Sequence, residues 1–321
     1  MKKIVFVLNP HSGKALIKNA LLKIIQVFSE AGYDVTVYPT KAPLDGYEYL
    51  KKREGQYDVL VCSGGDGTLN EVVRAVLEYQ GDKPPIGYIP SGSTNDFATS
   101  LNIPKDMVRA AQHIAAGEPV QCDIGRANGE RSFNYVAAFG AFTEVSYATP
   151  QHLKNLLGDG QIELDPYDQV SRHQAYVLEG VKSLAALKPY KVKVTSNELQ
   201  VEDSFVYGMV SNTESVGGMR GLAGTGVDLQ DGLFEVTLIK EIKNPMEVQQ
   251  LVTAFLSKNF EKCDVLYSFK TSKITFESEE AIKWTLDGEY GGEWKEMRLE
   301  VEPRAIEFII KKRKEKTKKL N

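Results

Sequence analysis

The sequence predicts an α/β N-terminal domain, built on a parallel sheet covered by helices, followed by a mostly antiparallel, β-rich C-terminal domain. Three observations predict it. Apolar runs alternate with amphipathic helical runs up to residue 116; short β-rich segments separated by turn residues take over from 123; and glycine-rich turns follow the early apolar runs. In order, residues 4–8 form a strand, 15–31 a helix ending at Gly32, 34–38 a strand and 44–54 a helix. Strand 57–62, helix 68–79 and strand 86–89 follow, and helix 105–116 closes the region before Gly117-Glu118-Pro119. Ligands of such sheets bind beyond the strands' carboxyl ends. Later, 131–138, 191–195, 204–211, 233–238, 273–277 and 297–301 read as strands, interrupted by a helix at 168–187 and a second after Pro245. The domains are then 1–122 and 123–304. The last apolar run, 305–310, fits either, so 305–321 is open to return to the first.

A length of 321 residues with 42% hydrophobic content favours two domains with substantial cores. The net charge of -4 argues against a general nucleic-acid binder, which needs a basic face. The end of the chain departs from this balance, with seven basic residues against one acidic over 311–319. That stretch is either a solvated tail or a tether to anionic lipid, worth about 1 kcal/mol per basic residue near the surface. Cys62, Cys122 and Cys263 are widely spaced and form no Cys-x-x-Cys or Cys/His ligand pattern. A reduced, cytoplasmic protein without structural zinc is the simplest account. Residues 4–8 follow two lysines as a leader would, but Asn9-Pro10 cuts the run short. No apolar run approaches the ~20 residues of a membrane span, so contact with a bilayer would be peripheral, at the inner face of the membrane.

The most informative motif is Gly64-Gly65-Asp66-Gly67-Thr68-Leu69-Asn70-Glu71, a strand running into three glycines around one carboxylate and then a helix. Glycines let backbone N–H groups approach an anion, and the helix presents its positive end to the same point. Asp66 would repel phosphate unless a cation such as magnesium stood between them. The alternative is a tight strand-to-helix bend and nothing more. Asn9-Pro10-His11-Ser12-Gly13-Lys14 is not a Walker A sequence, but it can offer N–H donors, or Ser12 can cap the following helix. Pro90 to Phe97 carries Gly92, Thr94 and the pair Asn95-Asp96 on the next strand-to-helix turn, either as ligand groups or as a plain Asx turn. In Asp287-Gly288-Glu289 the first two residues form a two-residue hairpin turn or, if the strand continues, Asp287 and Glu289 place two carboxylates on one side, an arrangement suited to a general base. Asp228-Leu229-Gln230-Asp231-Gly232-Leu233 offers closely spaced oxygens of the kind hard cations take, or an ordinary Asp-Gly turn. None of the four histidines lies near a Ser or Cys arrangement for nucleophilic catalysis.

Taken in this order, Asn9-Pro10-x-Ser12-Gly13, the Gly64 to Glu71 block, Pro90-x-Gly92-x-Thr94-Asn95-Asp96-Phe97-Ala98 and Asp287-Gly288-Glu289 resemble soluble bacterial diacylglycerol kinases. That lipid-kinase family is similar to sphingosine kinases and, more distantly, to NAD kinases. Asp123-Ile124-Gly125, Phe133-Asn134 with Gly140, and Asp231-Gly232-Leu233 are similar to its second-domain signposts. The resemblance implies ATP in the cleft between two domains, contacted by residues 9–13 and 64–71 with Thr40, Gly92, Thr94, Asn95 and Asp96. It implies that Asp66 orders magnesium together with Asp123, that Asp287 or Glu289 takes the proton of a lipid hydroxyl, and that a second, structural magnesium binds Asp228, Asp231 and the carbonyl of Leu233. It also implies a lipid substrate presented at the membrane surface and leaves a homodimer open. Residues 223–227 depart from the pattern expected before that metal turn. Diacylglycerol is the expected acceptor. Another lipid alcohol such as a sphingoid base or phosphatidylglycerol, NAD, or a catalytically silent nucleotide-binding regulator are the alternatives.

Overall fold

The computed structural model describes residues 1–13, 15–92, 95–140, 178, 180–182, 184–213, 215–216, 219–220, 227–257, 259–260 and 262–311. Thr94, most of the expected helix 168–187 and the basic tail beyond Lys311 lie outside them. The chain divides into two compact units, Met1–Cys122 with Arg304–Asn321, and Asp123–Pro303.

In the first unit, β1 (Lys2–Leu8), β2 (Tyr33–Pro39), β3 (Val59–Gly64) and β4 (Ile86–Pro90) form a parallel sheet in the order β4-β3-β1-β2. Every residue of β3 and β4 is buried, so both sheet faces are covered, as parallel strands require. The covering helices are α1 (Ile17–Glu30), α2 (Asp45–Lys51), α3 (Asp66–Leu77), α4 (Asp96–Ser100) and α5 (Met107–Ala115). Each long one turns an apolar stripe inward: Ile17, Ile24 and Phe28 from α1, Leu69, Val72, Val73 and Val76 from α3, Ala110, Ala111 and Ile114 from α5. The run at 305–310 belongs here, because Phe308 pairs in parallel with Ile86 and its ring lies 4.9 Å from that of Phe97.

Helix α1 starts at Ile17, later than its apolar period suggests. Gly13 (φ 55) and Ala15 (φ 54) both take the left-handed conformation, which holds the preceding turn out of the helix. Ser12 therefore does not cap it; the N-cap is Leu16, which makes no side-chain capping bond. Helix α3 begins earlier than expected, at Asp66 itself, with extended Gly65 as its N-cap.

The second unit is antiparallel apart from its helices. Its strands after β5 (Glu118–Ala127) are β6 (Arg131–Phe133), β7 (Val136–Gly140), β8 (Tyr190–Thr195), β9 (Gln200–Ser211), β10 (Ser215–Val216), β11 (Met219–Arg220), β12 (Phe234–Lys240), β13 (Leu266–Thr271), β14 (Lys273–Leu286) and β15 (Glu289–Ile310), whose last residues join the first unit. The order is β13-β12-β9-β7-β14-β15, with β8 also pairing both β9 and β14. Helix α6 (Pro245–Ser257) opens with proline, whose missing N–H costs nothing in a first turn. The core gathers Phe133, Phe139, Phe205, Phe234, Phe276 and Trp284, with Phe139 and Trp284 ring centroids 4.9 Å apart.

The expected single strand 131–138 is two, because Asn134 and Tyr135 give their N–H groups to the carboxylate of Asp287 instead of to a neighbouring strand. The expected short strands 273–277 and 297–301 are parts of one long hairpin. Asp287 (φ 52) and Gly288 (φ 80) form its two-residue turn, between the facing pair Leu286 and Glu289. The strand does not continue through Asp287, so its carboxylate and that of Glu289 do not share one strand face.

Candidate active site

The first unit brings three predicted turns together at the carboxyl ends of adjacent strands. After β1, the N–H of Asn9 donates to the Ser63 carbonyl at 2.8 Å, and its side chain accepts from His11 N–H at 2.9 Å. After β4, the N–H groups of Ser91 and Gly92 both donate to the Gly64 carbonyl, at 2.9 and 3.2 Å. Asn95, left-handed at φ 53, accepts from Gly92 N–H at 3.0 Å and donates back to its carbonyl at 2.8 Å. These turns touch backbone to backbone. A Cβ on Gly13 would fall 2.3 Å from the Ser91 carbonyl oxygen, and one on Gly92 would fall 2.5 Å from the Gly65 Cα. Glycine at both positions is therefore a steric requirement of the meeting.

Into this junction opens the N-terminus of α3. The first-turn N–H groups of an α-helix lie outside its i to i−4 ladder, and the helix dipole adds positive potential there. Leu69 is different: its N–H donates to the Gly65 carbonyl at 3.1 Å and its side chain is buried, so its part is internal to the helix. Asn9 Nδ2 donates to Thr68 Oγ1 at 3.4 Å, which links the first and second turns. Pro10 carries the chain from Asn9 into the His11–Gly13 bend, and Ser12 is buried against the junction. Asn70 lies half-buried in the same helix, and Asp96 is buried at the start of α4.

Thr40 and Glu71 form an adjoining group. Thr40 is buried, with its N–H donating to the Leu8 carbonyl at 2.8 Å, while Glu71 accepts from Leu44 N–H at 2.8 Å at the head of α2. Burial pushes the Glu71 carboxyl above its ordinary range, and the N–H groups of Leu44, Gly46 and Tyr47 oppose that. Tyr88 was not legible as part of the site. Its hydroxyl lies 3.2 Å from both the Gly64 carbonyl and Asn95 Oδ1, and burial raises it well above the usual tyrosine value. Nothing in the local pattern of strand 86–89 distinguishes it from a core aromatic.

The second unit gathers the remaining acidic residues at two linked places. Asp123 is fully buried; its N–H donates to the Leu229 carbonyl at 2.8 Å and its Oδ2 accepts from Gly232 N–H at 2.7 Å. This ties it to the turn carrying Asp228, Asp231 and Leu233. Asp287 is buried as well. Its two oxygens accept three consecutive amides, from Asn134 (2.6 Å), Tyr135 (2.9 Å) and Val136 (3.1 Å), while its own N–H donates to the Val136 carbonyl at 2.8 Å. Glu289, by contrast, is exposed as the first residue of β15. Asp66 and Asp123, expected to share magnesium, belong to different units. Each offers carboxylate oxygen of the type that cation takes.

The turn expected to hold a second metal fits one poorly. Asp228 Oδ1 accepts from Gln230 N–H and Asp231 Oδ1 from Leu233 N–H, each at 3.0 Å. Asp231 Oδ2 receives the Lys270 ammonium at 3.0 Å, and that ammonium also lies 3.0 Å from Glu235 Oε1. A fixed positive charge on a would-be ligand repels a divalent cation. Among the described residues no group of three or more His, Cys, Asp or Glu side chains is arranged to hold a metal ion. Lys270 stands 39 residues from Asp231, so no motif at the turn could have announced it.

Comparison with known proteins identifies the family. The family model of the diacylglycerol kinase catalytic domain matches residues 3–127, and that of the YegS C-terminal NAD kinase beta sandwich-like domain matches 164–310. The diacylglycerol kinase of Bacillus subtilis (strain 168) is 31% identical over 294 residues, covering 91% of each chain. That of Staphylococcus epidermidis (strain ATCC 12228 / FDA PCI 1200) is 32% identical over 293 residues, covering 91% of this chain and 87% of its own. The fold matches the crystal structure of a diacylglycerol kinase from Bacillus anthracis str. Sterne with a TM-score of 0.73 at 21% identity, covering 96% of this chain and 97% of that one. With relatives above 30% identity along nine-tenths of its length, the chain belongs to the diacylglycerol kinase family of lipid kinases.

Proposed function

We propose that this protein is an ATP- and magnesium-dependent kinase that phosphorylates the hydroxyl of diacylglycerol to give phosphatidic acid. The observation that carries the reading is the meeting of three strand-to-helix turns at the head of α3, with glycines where any side chain would collide. Such a junction offers several N–H donors and a helix dipole to a polyphosphate. The acceptor comes from the relatives, which are named diacylglycerol kinases.

Phosphoryl transfer asks the protein for positioning and charge neutralisation, not for a covalent intermediate. The turns at Asn9–Gly13, Gly64–Thr68 and Gly92–Asn95 bind the triphosphate. Asp66 and Asp123 would hold magnesium, which when bound neutralises charge on the phosphates. Asp287 commits both carboxylate oxygens to backbone amides and so anchors the hairpin, whereas the exposed Glu289 beside it is the base. Glu289 takes the proton from the lipid hydroxyl; the hydroxyl oxygen bonds to the γ-phosphorus as the bond to the β,γ-bridging oxygen breaks, and ADP leaves. The enzyme would work from the cytoplasmic side, at the membrane surface where its substrate resides.

The test is transfer of labelled phosphate from ATP to diacylglycerol in mixed micelles, with NAD and sphingosine as parallel acceptors. Labelled phosphatidic acid is expected. Label passing only to NAD, or to no acceptor, would overturn the assignment.

A further inference from the structure

We infer that Asn212 is a positioning residue for phosphoryl transfer, tying Asp123 to the Asp287 hairpin within the second unit. Its catalytic consequence rests on the kinase reading above, whereas the link itself rests on geometry alone. Strand β9 ends at Ser211, and Asn212 follows it fully buried. Its backbone N–H donates to the Tyr135 carbonyl at 2.9 Å, and its side-chain Nδ2 donates to the Asp123 carbonyl at 2.9 Å. Tyr135 in turn donates its N–H to Asp287 Oδ1 at 2.9 Å, and Asp123 Oδ2 accepts from Gly232 N–H at 2.7 Å. One residue therefore lies between the buried carboxylate proposed to serve magnesium and the buried carboxylate that aims Glu289.

The residue type fits that task. Asn212 Oδ1 is buried with no hydrogen-bond partner, a cost that an apolar residue would avoid. What asparagine adds is a donor that reaches the Asp123 carbonyl while its own backbone stays paired with Tyr135. An aspartate would set acceptor against acceptor, and a leucine would leave the carbonyl without its donor. Binding of ATP to the first-unit turns does not involve Asn212, so its loss should affect kcat rather than the KM for ATP.

The experiment compares wild type, Asn212→Asp and Asn212→Leu with Val236→Ala, a core substitution in the same sheet that lowers Tm without touching this link. For the Asn212 variants we expect kcat toward diacylglycerol to fall about tenfold or more, with the KM for ATP within about twofold, because small misplacements of reacting groups cost large factors in rate. Wild-type kcat in both variants, or a loss no greater than that of Val236→Ala at equal Tm, overturns the proposal. If wild type itself transfers nothing to lipid, the kinase reading fails and amide hydrogen exchange judges the link separately. Faster exchange at the Tyr135 amide in Asn212→Asp supports it, and unchanged exchange there overturns it.

Discussion

Two acidic residues of one hairpin have opposite surroundings, and this divides their roles. Asp287 sits in the turn with three amide donors on its carboxylate; Glu289 begins the return strand facing solvent. Glu289→Gln should leave Tm unchanged and lower kcat by roughly 10²–10⁴-fold, the usual worth of a general base. Asp287→Asn keeps one acceptor but sets an NH₂ group against a backbone donor, so it should cost about 1–3 kcal/mol of stability as well as activity. Thermal unfolding and steady-state kinetics on the two variants separate the roles. A Glu289→Gln enzyme with wild-type kcat would place the base elsewhere, and an unshifted Tm in Asp287→Asn would deny the anchoring role. Both residues were legible as candidates from the Asp-Gly-Glu pattern alone. Their difference was not, because the deciding donors, at 134–136, lie more than 150 residues away in sequence.

The elements of the first unit were the more legible, since β1, β3 and β4 are built on continuous apolar runs and each long helix carries one apolar stripe. Their ends were less so. Left-handed Gly13 and Ala15 delay α1, and the partner that draws 305–310 into this unit is a strand more than 200 residues earlier. In the second unit, charged residues on the exposed faces of β14 and β15 hid the length of the hairpin. One junction between elements makes a pH prediction. At the last turn of α5, His113 Nε2 accepts the N–H of Lys311, just after β15, at 2.6 Å. Burial, and then the nearby Lys311 charge, lowers the His113 pKa below its ordinary 6.5. Below pH 6.5 the unfolded chain therefore binds a proton that the folded state resists, so stability is full above that pH and declines as pH falls toward the folded value. Protonation removes the acceptor, a loss on the order of 1 kcal/mol for one hydrogen bond. Tm measured from pH 7.5 to 5 should fall more steeply in wild type than in His113→Gln, and parallel profiles would contradict this.

At the scale of the whole molecule the distribution of charge matters more than its total. Net charge is -4, but beyond Lys311 six Lys and Arg accompany a single Glu, so the rest of the chain is considerably more acidic than the total suggests. An anionic membrane would repel that body and attract the tail. No helix among the described residues is long and apolar enough to cross a bilayer, so attraction of this kind is a plain way to keep a lipid kinase near its substrate. At about 1 kcal/mol per basic residue near the surface, even half of the six would raise vesicle affinity roughly a hundredfold at low salt. The cut that tests this falls after Lys311, because it preserves the bond from the Lys311 N–H to His113. The truncated protein should keep its Tm and its kcat in neutral detergent micelles. Its binding to vesicles rich in phosphatidylserine should fall, and the difference from the full chain should vanish near 1 M salt, where the Debye length is about 3 Å. Equal vesicle binding by the two proteins at low salt would show that the tail plays no part in membrane contact.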